Sequence, residues 1–104
     1  MFNLFGQKKS LDEFKFKENE KTACFVCEHV LNKTRPILFV SHDLEDSSWQ
    51  FLCGKDDHSE QSAKIISLKE ATELDPSINE LYEMPIGVGV ERKDIKSKWI
   101  PFRL

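Results

Sequence analysis

The sequence predicts an α+β domain: a mostly antiparallel sheet of about five strands with a short helical pair packed on one side. Three observations carry this expectation. Apolar residues recur at every second position around Phe25 and Phe51, and at helical spacing between Leu68 and Tyr82. Capping signals, Ser67-Leu-Lys-Glu70 and Asp75-Pro76, bracket the helical stretch. The order of segments is strands, then helices, then strands, which departs from the strict alternation of a parallel sheet with crossover helices.

Residues 1–21 form an N-terminal lead-in that could pack on the domain, and residues 22–104 form the single α+β domain. In the lead-in, Ser10-Leu-Asp-Glu13 has capping-box spacing, whereas Phe14-Lys-Phe16-Lys17 alternates like a strand. A short helix and an edge strand therefore both remain open there. Residues 23–31 make the first clear strand, with Phe25, Cys27, His29 and Leu31 on one face and Cys24, Val26, Glu28 and Val30 on the other. Asn32 to Pro36 breaks it. Residues 37–41 are a continuous apolar run suited to a strand covered on both faces. After the acidic turn of residues 42–48, Trp49, Phe51 and Cys53 alternate with Gln50 and Leu52, which extends the pattern to an antiparallel meander.

Gly54 to His58 closes that strand in a polar loop, and residues 63–67 form a short fourth strand. Ser67 then opens a helix with Leu68, Ala71 and Leu74 on one side. Asp75-Pro76 restarts it, because Asp caps a helix well and Pro suits the first helical position. Ile78, Leu81 and Tyr82 form the apolar face of this second helix. Residues 87–90 and 98–102 close the sheet, and Pro101 argues for an edge position there.

Composition narrows the function. The chain has 104 residues, 39% hydrophobic and 32% charged, with eight Phe and two Trp, which is core material for one well-solvated domain. A formal net charge of -3 with scattered Lys and Arg lacks the clustered basic face of a nucleic-acid binder. No apolar run approaches the roughly 20 residues that span a bilayer. Three cysteines, an odd number, point to free or metal-bound thiols and a cytoplasmic location rather than a disulfide framework.

The residue types able to do chemistry gather at Cys24, Cys27, Cys53 and His58. A Cys-x-x-Cys pair with a later Cys and His supplies the four sulfur and nitrogen ligands that tetrahedral zinc prefers. Against it, Cys24 and Cys27 face opposite ways in a regular strand, so the cysteines also read as small core hydrophobes. A redox pair lacks the strand-to-helix setting that acidifies a thiol. A thiol-dependent enzyme built on Cys53 with His58 or His42 is the remaining catalytic alternative. Gly87-x-Gly89 lacks the rest of a dinucleotide fingerprint. For contact with a protein partner, Asp43, Glu45, Asp46, Asp56 and Asp57 could form a negative edge, and Trp99 an anchor.

Three stretches taken together carry a resemblance: residues 23–30 (ACFVCEHV), residues 48–54 (SWQFLCG), and Asp75-Pro-Ser-Ile78 followed by Leu81, Pro85 and Gly87. Over about residues 22–100 the chain resembles a family of short bacterial proteins whose relatives include immunity-like proteins found near polymorphic toxins. The resemblance implies a small non-enzymatic binding protein that acts by protein–protein contact and gives no toxin identity; the acidic edge would suit a basic toxin domain as the partner. The resemblance implies no catalytic residue.

Overall fold

The computed structural model describes residues 13–55 and 63–104. Six strands form one mixed sheet: β1 (Ala23–Cys27), β2 (Phe39–His42), β3 (Trp49–Leu52), β4 (Ala63–Ser67), β5 (Val88–Glu91) and β6 (Ile100–Arg103). Their order across the sheet is β4-β1-β3-β2-β5-β6. Two α-helical segments, α1 (Glu28–Leu31) and α2 (Leu68–Leu74), and a 3-10 helix (Pro76–Leu81) complete the chain. None of the described helices is long and apolar enough to cross a membrane.

The α+β class stands, and the sheet differs from expectation in two ways. It has six strands rather than about five, and it is mixed: β1 and β3 run parallel, with Val26 opposite Phe51, while the other four ladders are antiparallel. A meander would have placed β2 beside β1. Instead α1 and the segment after it carry the chain one strand position further out, and the β2–β3 hairpin folds back so that β3 fills the gap. Pro101 does sit on an edge strand, β6, opposite Val90.

The strand expected over residues 23–31 stops at Cys27, because the chain must leave the sheet to make that step. Cys27 is the N-cap of α1, and Glu28 places a carboxylate in its first turn, where the helix dipole favours negative charge. The helix ends in a paired-carbonyl cap. Lys33, at φ 63°, donates to the Val30 carbonyl at 3.1 Å and Thr34 to the His29 carbonyl at 2.9 Å. This tight reversal returns Arg35 over His29.

The helical pair forms where its caps predicted. The Ser67 side chain accepts from the Glu70 amide at 3.1 Å and the Glu70 carboxylate accepts from the Ser67 amide at 3.0 Å, a complete capping box. Asp75 caps the next segment by accepting from the Ser77 amide at 2.9 Å, but that segment winds as a 3-10 helix rather than an α-helix. Both pack on one face of the sheet, where Leu68, Ala71, Ile78 and Leu81 meet Cys24, Val26, Val40, Phe51 and Val90 in the core.

Residues 13–22 adopt neither the helix nor the strand the sequence left open. They lie along the domain: Phe16 is 5% exposed and meets the Trp49 ring edge-on at 4.9 Å. Glu18 accepts from Trp49 Nε1 at 2.8 Å. Ser10 lies outside the described residues, so the capping box proposed there does too.

Arg92 pins the far end of the core. Its Nη2 reaches the Ile37 carbonyl and Asp75 Oδ2, each at 2.9 Å, and its guanidinium lies 4.0 Å from the centre of the Trp99 ring. Five donors in a planar fork allow one side chain to tie together the start of β2, the junction of the helical pair and the strand-6 approach.

Candidate functional site

Alternation along the strands gives the sheet two unlike faces. Cys24, Val26, Val40, Trp49 and Phe51 point to the core, where the described helices and the segment around Phe16 and Glu18 cover them. Phe25, Phe39, Leu52 and Phe102 point the other way and remain half-buried, while Ile65 and Ile100 are 66% and 64% exposed. The Phe39 and Phe102 rings meet at a tilt of 44° with their centres 5.5 Å apart, and the Phe102 ring lies so close over Gly89 that an added Cβ there would meet it at 2.7 Å. A groove of about 800 Å³ runs over this face, with Phe25, Phe39 and Leu52 on its floor and Asp43, Asp46 and Lys55 along its rim.

The β2–β3 turn sets the charge of that rim. Asp43 is turned inward: it accepts from Ser41 Oγ at 2.9 Å, from Ser48 Oγ at 3.4 Å and from Gln50 Nε2. Asp46 and Glu45 are exposed. The Ser48 hydroxyl and amide both donate to Asp46, at 2.8 and 3.0 Å, and hold its carboxyl below the usual carboxylate range. The turn thus presents two negative charges beside an apolar surface. Asp56 and Asp57 lie outside the described residues. Trp99 is half-buried on the core, where its ring is already covered by Arg92.

A second cluster sits at one end of the groove. The ligand atoms of Cys27, His29 and Cys53 all lie within 4.8 Å of one another. Each comes from a different local structure: the end of β1, the first turn of α1, and the turn after β3 that Gly54 completes at φ 82°. Arg35 Nη1 donates to Cys53 Sγ at 3.6 Å and lies 3.4 Å from His29 Nδ1. Burial works to raise the Cys53 pKa, but the Lys55 amide, the Arg35 guanidinium and the Cys27 thiol all donate to this sulfur and bring it below the ordinary value.

Of the four residues the sequence nominated for metal, Cys27 and Cys53 come together. Cys24 faces the core opposite Ile66 and lies outside the group, and burial, then the Glu70 carboxylate, pushes its thiol up to about 12. His58 lies outside the described residues. His29 lies outside the Cys-x-x-Cys spacing. Its signal was Cys27-x-His29, two residues on one face of the expected strand.

No curated protein and no solved structure shows a significant match to this chain. A family model does: the immunity protein Imm33 domain matches residues 24–103, from the second residue of β1 to the last of β6. A match over that length, on a fold whose strands and helical pair it spans, places the chain in the Imm33 immunity protein family.

Proposed function

We propose that this chain is a non-enzymatic, cytoplasmic immunity protein of bacterial origin that neutralises a toxin by binding it through the open face of the sheet. One observation carries the choice of surface: Phe25, Phe39 and Leu52 are left half-exposed on the face opposite the helices, beside the acidic turn that carries Glu45 and Asp46. Aromatic and aliphatic anchors in a groove supply most of the energy of a protein contact, and flanking charge sets partner choice and association rate. The partner would therefore present an apolar ridge flanked by Lys or Arg. Asp43 serves by shaping the turn, and Trp99 is placed elsewhere.

Co-purification with the proteins encoded beside this chain tests the reading. A stoichiometric complex is expected, weakened at least about tenfold by Phe39→Ser or by Glu45→Lys with Asp46→Lys, and unchanged by Glu73→Lys on the helical side. Binding that survives both groove variants but fails with Glu73→Lys would place the interface on the wrong side of the sheet for this proposal.

A further inference from the structure

The cluster at the end of the groove has a chemistry that protein binding does not need. Two acceptor atoms, Cys53 Sγ and His29 Nδ1, converge on one cationic nitrogen of Arg35, Nη1, at 3.6 and 3.4 Å. An arginine nitrogen only donates, so the lone pair of His29 Nδ1 points into the cluster rather than away from it. The Cys27 thiol closes the third side. The place is arranged to hold positive charge, with two sulfurs and one imidazole around it.

We propose that Cys27, His29 and Cys53 form a binding site for a thiophilic d10 cation, with Zn(II) as the principal occupant. Zinc takes thiolates at about 2.3 Å and imidazole at about 2.1 Å in a tetrahedron, which places two sulfurs about 3.8 Å apart. The ligand atoms already lie within 4.8 Å of one another, so closing on the ion needs side-chain adjustment of under about 1 Å. Two thiolates and a neutral imidazole balance the charge of the ion. Arg35 then moves from occupying the cation's place to donating to a metal-bound sulfur, a common outer-sphere role. The ion would tie the end of β1 and the start of α1 to the turn after β3, which fixes the Cys27 and Gly54 end of the groove. The site stands on this geometry alone and does not depend on the toxin-binding reading.

Cobalt(II) titration of the reduced, full-length, metal-free protein tests it, because thiolate-bound cobalt gives charge-transfer bands that aqueous cobalt lacks. About one equivalent should bind with a two-thiolate spectrum that zinc displaces. Cys27→Ser and Cys53→Ser should abolish the spectrum, His29→Gln should weaken binding at least about tenfold, and Cys24→Ala should leave it intact. Should a serine variant fail to fold, zinc protection of the wild-type thiols serves instead: Cys27 and Cys53 are shielded from alkylation, and Cys24 is unaffected by the metal. An absent cobalt spectrum, a spectrum that persists without Cys27 or Cys53, or a Cys27–Cys53 disulfide in a protein that takes up no metal would each overturn the proposal.

Discussion

Cys24 offers a sharp test of how tightly the helical pair seals the core. Its thiol is 0% exposed between β1 and α2, and burial, reinforced by the Glu70 carboxylate, raises its pKa from 9.0 to about 12. In the unfolded chain the thiol ionises near its ordinary value, so between pH 9 and pH 12 the unfolded state has lost a proton that the folded state keeps. Stability from this residue is complete below pH 9 and drains away as pH rises toward 12, by up to about 1.4 kcal/mol per pH unit. From pH 8 to pH 10.5 the loss is about 2 kcal/mol.

The contribution of Cys24 is isolated by taking a difference between two proteins. Urea unfolding, followed by the fluorescence of buried Trp49, is run with reductant on the wild type and on Cys24→Ser, which cannot ionise. Serine costs stability at pH 8, and the gap between the two proteins should shrink by about 2 kcal/mol at pH 10.5. A gap that stays constant within about 0.5 kcal/mol would mean that Cys24 ionises as freely in the folded protein as in water, and the packing of α2 on β1 described above would be wrong.

Three further substitutions probe other joints by the same unfolding assay. Arg92→Leu leaves Asp75 Oδ2 and the Ile37 carbonyl without the guanidinium donor, and should cost about 3 kcal/mol, with Arg92→Lys recovering less than half because an ammonium cannot span both acceptors. Phe16→Ala should cost about 3–5 kcal/mol, since the ring is buried against Trp49 and Phe51; a loss below about 1 kcal/mol would show that residues 13–21 add little to the domain. Ser67→Ala removes one half of the capping box and should cost about 1 kcal/mol, visible also as faster amide exchange at Glu70.

Local chemistry was legible wherever a short stretch of chain decides the outcome. The Ser67 and Asp75 caps are satisfied by amides two or three residues away, so spacing alone located them. The two-residue phase of Trp49, Phe51 and Cys53 read correctly because burial on one face is the same fact as alternation, and all three are at most 1% exposed. Between Glu28 and Leu31 alternation misled. A four-residue helix is too short to show a helical period, and Val30 is buried in either geometry. The 3-10 winding after Asp75 was equally hidden, since apolar residues at three-residue spacing suit both helix types.

What no local pattern could reveal is the strand order, and the candidate metal cluster depends on it. In the meander the alternation suggested, β1 and β3 would also run parallel, with Cys27 and Cys53 at the same end of the sheet, but β2 would lie between them. Two strand spacings separate such residues by about 10 Å, too far for a shared ion. With β3 beside β1 the separation falls to one spacing, about 4.8 Å, and the two thiols meet. The same rearrangement decides the open face, because it brings Phe25 on β1 alongside Gln50 on β3, next to the Phe39–Leu52 pair of the β2–β3 hairpin. One topological step, the excursion through α1 that sends β2 outward, thus creates both the floor of the groove and the site at its end. That is why Cys27 and Cys53 gain their partner in His29, a residue of that excursion, rather than in Cys24, which the strand has already committed to the core.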